Sequence, residues 1–260
     1  MFRTRLSAPV VFFHIPKTGG VTVHSLLRKK LPARRICPER FNRLQRLSPT
    51  QIEQYDLFSG HYDAASISRL PSNSRVISVL REPRARILSL YYHWKSHRPE
   101  IAEQNNLAGP RLAHRYGLLE FLRCPEPVIA FNIDNVQVRS MIGRIWVGRN
   151  RQFRVDEQVA LHQAKEYLES LFDFGITEDL DSFVARLFPR LGFRPPKQVP
   201  YRNSHREFKR DKTMQVVKRE PITDEIEAEL DRLTHWDREL YNFARDLLAE
   251  REAAAKRRSA

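Results

Sequence analysis

One short segment of the chain combines residue types that could hold an anion. Residues 16–22, PKTGGVT, lie between an unbroken apolar run and a helix-like pattern. Consecutive glycines allow backbone N–H groups to turn towards a ligand, and a following helix adds the positive end of its dipole. Lys17 and two threonines add further donors, so the segment predicts a site for a phosphate or a similar tetrahedral group. The alternative is an ordinary strand-to-helix turn that contains Gly-Gly.

This segment differs from a nucleoside triphosphate-binding loop in the position of its lysine. A Walker A loop has the order G-x-x-x-x-G-K-[ST] and works with magnesium, whereas Lys17 precedes Gly19 and Gly20. On the strand side of the loop, the lysine would approach a bridging or leaving-group oxygen. No apolar run ends in a clear metal-binding aspartate, so we expect no metal. Such a site would suit transfer of a sulfuryl group, which carries less negative charge than a phosphoryl group.

Two polar residues follow a second strand-like run, RVISVL at 75–80. Arg81 comes at the end of this run, and Ser89 comes two turns into the helical pattern that follows. A forked guanidinium and a hydroxyl that reach one pocket would suit a terminal phosphate monoester. Alternatively, Arg81 is a surface cation and Ser89 only fills a helix face.

His61 follows a glycine at the end of a third apolar run, LFSGH at 57–61. Sheets in α/β proteins present such side chains to a ligand crevice, and a neutral imidazole could take a proton from an alcohol. A surface or core histidine is the alternative. His14 is predicted to lie within the buried first strand, where we expect it to be structural or to support the loop through a hydrogen bond.

Polar residues of the segment NVQVR could line an acceptor site. If the segment is extended, Asn135, Gln137 and Arg139 share one face, which would either contact an acceptor or form a solvated strand edge. Basic loops, together with Trp146, could dock an anionic or sugar acceptor, or could simply be solvated surface; their arginines are Arg98, Arg144, Arg149, Arg151 and Arg154.

Apolar patterning predicts the elements that position these residues. Strand-like runs at 10–15, 57–61, 75–80 and 174–178 alternate with helical patterns at 20–30, 85–97, 157–172, 179–192 and 223–255. This alternation predicts a three-layer α/β/α architecture with a central, mostly parallel sheet. The polar stretch 98–117 predicts a long loop or lid. We expect a single domain over 1–260, with a core at about 8–250 and a basic tail at 251–260.

The composition favours anionic partners but does not identify which one. The 260 residues include 45 Lys+Arg against 31 Asp+Glu, which gives a net charge of +14. That charge favours anionic partners such as a nucleotide, an acidic polysaccharide, nucleic acid or a membrane surface. Cys37 and Cys124 lie far apart and indicate neither a zinc site nor a disulfide framework. The N-terminal apolar run of about six residues is too short for a signal peptide or a membrane span, so we expect a cytoplasmic protein.

The two phosphate-type motifs, in this order and separation, resemble those of sulfotransferases that use 3′-phosphoadenosine 5′-phosphosulfate. The resemblance is closest to the carbohydrate branch that includes the heparan sulfate 6-O- and 2-O-sulfotransferases. Later stretches that support it are GHYDA at 60–64, LLEFLRCP at 118–125, NVQVRSM at 135–141, YRNSHR at 201–206 and WDRELYNFARDLL at 236–248. The resemblance covers roughly residues 10–250 and implies a P-loop-like sulfotransferase fold.

The same resemblance implies roles for individual residues. His61 matches the catalytic base of these enzymes, and Lys17 would stabilise the departing 3′-phosphoadenosine 5′-phosphate. The loop that wraps the 5′-phosphosulfate would comprise Lys17, Thr18, Gly19, Gly20, Val21 and Thr22. The 3′-phosphate would be held by Arg81 and Ser89, and a late N-S-x-R pattern would close over the donor through Asn203, Ser204 and Arg206.

The acceptor stays open at this level. It would be a saccharide, a glycoconjugate or another hydroxyl compound, and nucleic acid is not expected as a partner. Two other functions remain: a divergent nucleotide or small-molecule kinase with a displaced lysine, and a non-catalytic protein that binds polyanions through its positive charge.

Overall fold

A four-stranded parallel sheet forms the centre of the protein, in a computed structural model that describes residues 5–143, 156–200 and 212–259. The strand order is β2-β1-β3-β4, and every neighbouring pair is parallel. The strands are β1 (Val10–Phe13), β2 (Leu57–Gly60), β3 (Arg75–Leu80) and β4 (Asp173–Ile176). All four lie within or overlap the apolar runs that predict them, which confirms the predicted sheet.

Twelve helices surround the sheet in the described part of the chain. They are α1 (Gly20–Arg28), α2 (Pro49–Ile52), α3 (Ala64–Ile67), α4 (Pro83–Lys95), α5 (Pro99–Gln104), α6 (Ala108–Arg115), α7 (Leu118–Arg123), α8 (Pro127–Ile133), α9 (Val136–Met141), α10 (Glu157–Ser170), α11 (Leu180–Arg190) and α12 (Asp224–Ser259). Among them, α2 and α10 begin at clear side-chain caps. Ser48 closes a capping box at α2, and Asp156 accepts hydrogen bonds from the first N–H groups of α10.

Alternate residues of β1 face two separate hydrophobic cores, as the period of two in a strand requires. Val10 and Phe12 pack with α1 and α11, whereas Val11 and Phe13 pack with α9, α10 and α12. Because all four residues are buried, the strand is apolar on both faces. The result is the predicted three-layer α/β/α architecture, in which helices cover both faces of the sheet.

A third core lies beyond the sheet and supports α4. Ile87, Leu90 and Tyr91 of α4 pack against Phe121 of α7 and Leu230 of α12, among other residues. This core holds α4 in place behind the end of β3. The described helices include none with both the length and the apolarity needed to cross a membrane.

The stretch 98–117 is not the long loop or lid that its polarity predicts. It forms α5 and α6, and α6 packs closely on α4. The buried residues of α6 are Gly109, Pro110 and Ala113, which are too small to produce an apolar periodicity. A Cβ at Gly109 would lie 2.7 Å from the ring of Trp94, so the close approach depends on glycine.

The C-terminal helix also extends further than predicted. The pattern indicates a helix to about residue 255 followed by a frayed tail, whereas α12 continues to Ser259. Its last turns are rich in alanine, lysine and arginine, which are strong helix formers with no apolar pattern to reveal them.

Candidate active site

The carboxyl edge of the sheet brings the predicted site residues into one row. Because β1 and β2 pair with Phe13 opposite Gly60, His14 and His61 follow their strands side by side. Arg81 follows β3 on the other side of β1, and Thr177 follows β4 next to it. Parallel sheets place ligands at this edge, so the topology itself assembles residues that are far apart in sequence.

The strand order predicts a ligand crevice between β1 and β3. The chain leaves β1 towards β2 on one side and leaves β3 towards β4 on the other, which is the topological switch point of such a sheet. The Arg81 guanidinium bridges this crevice, since its Nη1 donates to the Lys17 carbonyl at 3.2 Å. Its Nε is buried and has no hydrogen-bond partner among the residues that the structure describes. The two predicted phosphate motifs therefore meet at this point.

The loop after β1 has the geometry of an anion cradle. Lys17 and Gly19 adopt positive φ values of 71° and 79°, and Gly19 is the N-cap of α1. None of the backbone N–H groups of residues 17–21 donates a hydrogen bond to another described residue. Successive N–H groups without partners, next to a helix N-terminus, form a concave site for negative charge.

The threonines of this loop are engaged with protein carbonyls. Thr18 is fully buried, and its hydroxyl donates to the Ile15 carbonyl at 2.9 Å. The Thr22 hydroxyl donates to the Pro200 carbonyl, also at 2.9 Å. Neither hydroxyl is free to donate to a ligand in this arrangement, so the donors of the loop are its N–H groups and Lys17. Asn203, Ser204 and Arg206 lie outside the described residues, as do Arg144, Trp146, Arg149, Arg151 and Arg154.

A hydrogen bond fixes the tautomer of His61. Its Nδ1 lies 2.9 Å from the His14 carbonyl oxygen, which can only accept, so Nδ1 carries the proton. Nε2 is then the nitrogen with the lone pair. Burial lowers the pKa of His61, and the charges of Arg40 and Lys17 add to this effect. A neutral imidazole with Nε2 available can accept a proton from an alcohol.

His14 follows β1 and does not lie within it as predicted, and it supports His61 through its backbone. Its N–H donates to the Gly60 carbonyl at 3.0 Å, and its carbonyl holds His61. The His14 ring is buried, and its centroid lies 4.3 Å from that of the His61 ring. Within the described ranges its Nδ1 has no hydrogen-bond partner. A Cβ on Gly20 would lie 1.9 Å from the His14 ring, so the second glycine of the loop makes room for it.

The prediction for Asn135, Gln137 and Arg139 is wrong about their conformation. Gln137 and Arg139 lie in helix α9, and Asn135 precedes it with a positive φ of 41°, so the three do not form one face of a strand. All three are buried, with at most 6% of their surface exposed. The alternation of polar and apolar residues suggests a strand, but all three polar side chains lie inside the core.

Gln137 instead holds the peptide groups of Arg81. Its Oε1 accepts from the Arg81 N–H at 3.0 Å, and its Nε2 donates to the Arg81 carbonyl at 2.9 Å. Asp237 of α12 in turn accepts from the N–H groups of Gln137 and Val138. Burial raises the pKa of Asp237 to about 6, partly opposed by the charge of Arg86. The sequence gives no signal for this network beyond the polar residues themselves.

Ser89 lies two turns into α4 and is partly exposed. His93 follows it by one helical turn, so both side chains lie on the same face of α4. Burial lowers the pKa of His93 to about 3, with a further contribution from the charge of Lys17. The motifs of the sequence do not include His93.

The site is strongly electropositive. Burial and the neighbouring charge of Arg81 together lower the pKa of Lys17 to about 7. Burial also lowers the pKa of Arg81, partly opposed by Glu178 and Glu82. His14 has a pKa well below its usual value because of burial and the positive charges around it. These basic groups disfavour each other's protonation because their positive charges repel one another.

Comparison with known proteins adds no further assignment. No protein-family model matches the chain, and no curated protein matches it. In the described ranges no group of three or more His, Cys, Asp or Glu side chains is placed to hold a metal ion.

Proposed function

We propose that this protein is a sulfotransferase that uses 3′-phosphoadenosine 5′-phosphosulfate and an acceptor hydroxyl. The observation that carries the proposal is the placement of three features along the carboxyl edge of the sheet. They are the N–H groups of residues 17–21, which donate to no other described residue, the Lys17–Arg81 contact, and His61, whose tautomer leaves Nε2 available. An anion site beside a base is what transfer of an anionic group to an alcohol requires.

The residues of the crevice fit the donor by charge and by hydrogen-bonding capacity. The N–H groups of residues 17–21 and the ammonium of Lys17 would hold the 5′-phosphosulfate. Arg81, whose buried Nε has no partner in the described part of the chain, and Ser89 would hold the 3′-phosphate. When bound, the donor supplies a sulfuryl group attached to a bisphosphate leaving group. An anion at this position would raise the pKa of Lys17 from about 7 and favour its charged form.

His61 is the proposed general base. Its Nε2 would take the proton of the acceptor hydroxyl while Nδ1–H continues to donate to the His14 carbonyl. That hydrogen bond also stabilises the imidazolium that forms. Lys17 would stabilise negative charge on the leaving phosphate, which is the role expected of a cation on the strand side of the loop.

The acceptor is proposed to be a saccharide or glycoconjugate, on the strength of the sequence resemblance. We further propose a reducing compartment such as the cytoplasm. In support of this, Cys37 and Cys124 are the chain's two cysteines, both are buried, and no disulfide joins them.

A screen for transfer of labelled sulfate tests the proposal. Wild-type protein is incubated with labelled donor and a panel of glycans and small alcohols, and Lys17→Met and His61→Asn serve as blanks. We expect a labelled product that depends on both residues. Magnesium-dependent turnover of ATP without sulfate transfer would favour a kinase instead. Salt-sensitive binding of heparin that is unchanged in Lys17→Met, without transfer, would favour a polyanion-binding protein.

A further inference from the structure

An exposed aromatic side chain lies beside the proposed base and has no part in the donor site. Phe41 is 61% exposed, and it is the only largely exposed aromatic residue in the described ranges. Its ring centroid lies 6.4 Å from that of His61. Single exposed apolar residues are common on protein surfaces, so the exposure alone indicates little. The construction of the surrounding segment is more informative.

The segment that carries Phe41 is fixed to the end of β2 by hydrogen bonds on both sides of the ring. The Arg40 carbonyl accepts from the His61 N–H at 2.7 Å. Asn42 exchanges two hydrogen bonds with Asp63, at 2.8 and 3.0 Å. Phe41 itself donates its N–H to the Glu39 carboxylate at 2.7 Å. An exposed ring on a segment this well bonded is held in place rather than frayed.

Gly60 and His24 bring the same segment close to the sheet. A Cβ on Gly60 would lie 2.4 Å from the Arg40 carbonyl oxygen, so a glycine is needed for this approach. His24 contacts the Arg40 guanidinium through Nε2 and the Ser59 hydroxyl through Nδ1, the latter at 2.8 Å. Because burial, with Arg40, lowers the pKa of His24 to about 4, the ring is neutral and accepts from Arg40 at Nε2.

Polar and basic groups surround the ring. Arg40, Asn42 and Arg43 are its neighbours in sequence, and His61 is its neighbour in space. Residues 28–46 contain eight basic residues and one acidic residue, Glu39. An aliphatic chain or a large apolar alcohol would need an apolar groove, whereas Phe41 offers one flat apolar face with a polar rim. A pyranose ring has the matching surface, with an apolar face of C–H groups and hydroxyls around its edge.

We propose that Phe41 is the platform on which a pyranose ring of the acceptor stacks, beside His61. This inference rests on the proposed function and deepens it, because it places the acceptor site. It replaces the predicted site at Asn135, Gln137 and Arg139, whose side chains are buried in the core. Phe41 acts here by binding and orienting the acceptor and takes no part in the proton transfer.

Binding to a glycan array in the presence of 3′-phosphoadenosine 5′-phosphate tests this inference. The proteins are the wild type, Phe41→Ala, Phe41→Trp and a control, Ile222→Ala, which alters an exposed apolar residue elsewhere in the sequence. We expect Phe41→Ala to weaken binding of pyranose glycans about tenfold, the effect of one central contact. Phe41→Trp keeps a flat aromatic face and should bind within about threefold of the wild type. Ile222→Ala should bind as the wild type does.

Two results would overturn the inference: no pyranose glycan binds the wild type, or all four proteins bind glycans equally. A loss of thermal stability or of nucleotide binding in Phe41→Ala would also overturn it, because the ring would then be structural. Failure of the nucleotide to bind the wild type, with glycan binding still dependent on Phe41, would separate the two proposals. It would contradict the sulfotransferase and support the saccharide platform.

Discussion

Substitution of Gln137 tests whether the buried network positions Arg81. Gln137 is fully buried and makes hydrogen bonds to both the N–H and the carbonyl of Arg81, at 3.0 and 2.9 Å. Gln137→Met keeps the length of the side chain but leaves both backbone groups without this partner. A buried group without a partner costs about 1–3 kcal/mol. Because Arg81 is partly exposed and water can reach it, we expect a cost near the lower end of this range for each of its two backbone groups. The total loss of unfolding free energy is then about 2–3 kcal/mol.

This loss is large enough to measure in two ways. For a chain of this size, about 2–3 kcal/mol corresponds to a fall in Tm of roughly 4–12 °C. Loss of a fixed Arg81 peptide should also weaken binding of 3′-phosphoadenosine 5′-phosphate about tenfold. Gln163→Met is the matched control, because Gln163 is exposed on α10, and it should change neither quantity. Gln137→Glu should be worse than Gln137→Met, because it adds a charge to a fully buried position.

Thermal unfolding and calorimetric titration of the nucleotide provide both readouts. The reasoning is refuted if Gln137→Met has the Tm and the nucleotide affinity of the wild type. A fall in Tm with unchanged affinity would show that the network stabilises the fold without positioning Arg81.

Three further predictions concern the proposed active site at the carboxyl edge of the sheet. His61→Asn should lower turnover about 10²–10⁴-fold, as for a lost general base, while nucleotide affinity stays within about threefold; an equal loss of nucleotide affinity would show that His61 holds the donor. Gly20→Ala should destabilise the protein by about 1–3 kcal/mol in urea unfolding, because its Cβ would lie 1.9 Å from the His14 ring. Gly117→Ala, whose nearest contacts are carboxylate ends at 3.5 and 3.7 Å, is the control, and equal effects of the two substitutions would contradict the clash. The free energy of unfolding should fall as the pH falls from about 6.5 to 4. In that window the unfolded chain binds protons that the buried histidines of the folded protein do not, namely those of His14, His24, His61 and His93. Asp237, with a pKa raised to about 6, opposes this trend as a single group. Urea unfolding across this pH range, with and without the nucleotide, measures the pH dependence, and the bound anion should reduce it. A free energy of unfolding that rises towards pH 4 would contradict the prediction.

The sheet could be predicted from the sequence because its strands are short, bulky and buried on both faces. A run such as VVFF, with bulky residues on both faces, is typical of a strand that is buried on both sides of a parallel sheet. Glycine or charged residues follow such runs and mark where the strands end. The row of site residues at the carboxyl edge follows from the parallel pairing. The sequence alone therefore predicts that His61, Lys17 and Arg81 lie near one another.

The remaining features depend on tertiary contacts that leave no local pattern. Helix α6 packs through Gly109, Pro110 and Ala113, which carry no apolar signal. The segment NVQVR forms a helix because Asp237, about a hundred residues later, accepts hydrogen bonds from its first turn. Phe41 is an ordinary loop residue in the sequence, and only the structure places its ring next to His61.

Titration with 3′-phosphoadenosine 5′-phosphate tests the central claim most directly. Calorimetry and thermal unfolding are compared for this nucleotide and for adenosine 5′-phosphate, which lacks the 3′-phosphate. At a concentration 100 times its Kd, the bisphosphate should stabilise the protein by about 2.7 kcal/mol. The monophosphate should bind at least about tenfold more weakly, since Arg81 and Ser89 would have no phosphate to hold. Lys17→Met should weaken binding of both nucleotides. No stabilisation by the bisphosphate, or equal binding of the two nucleotides, would contradict the account.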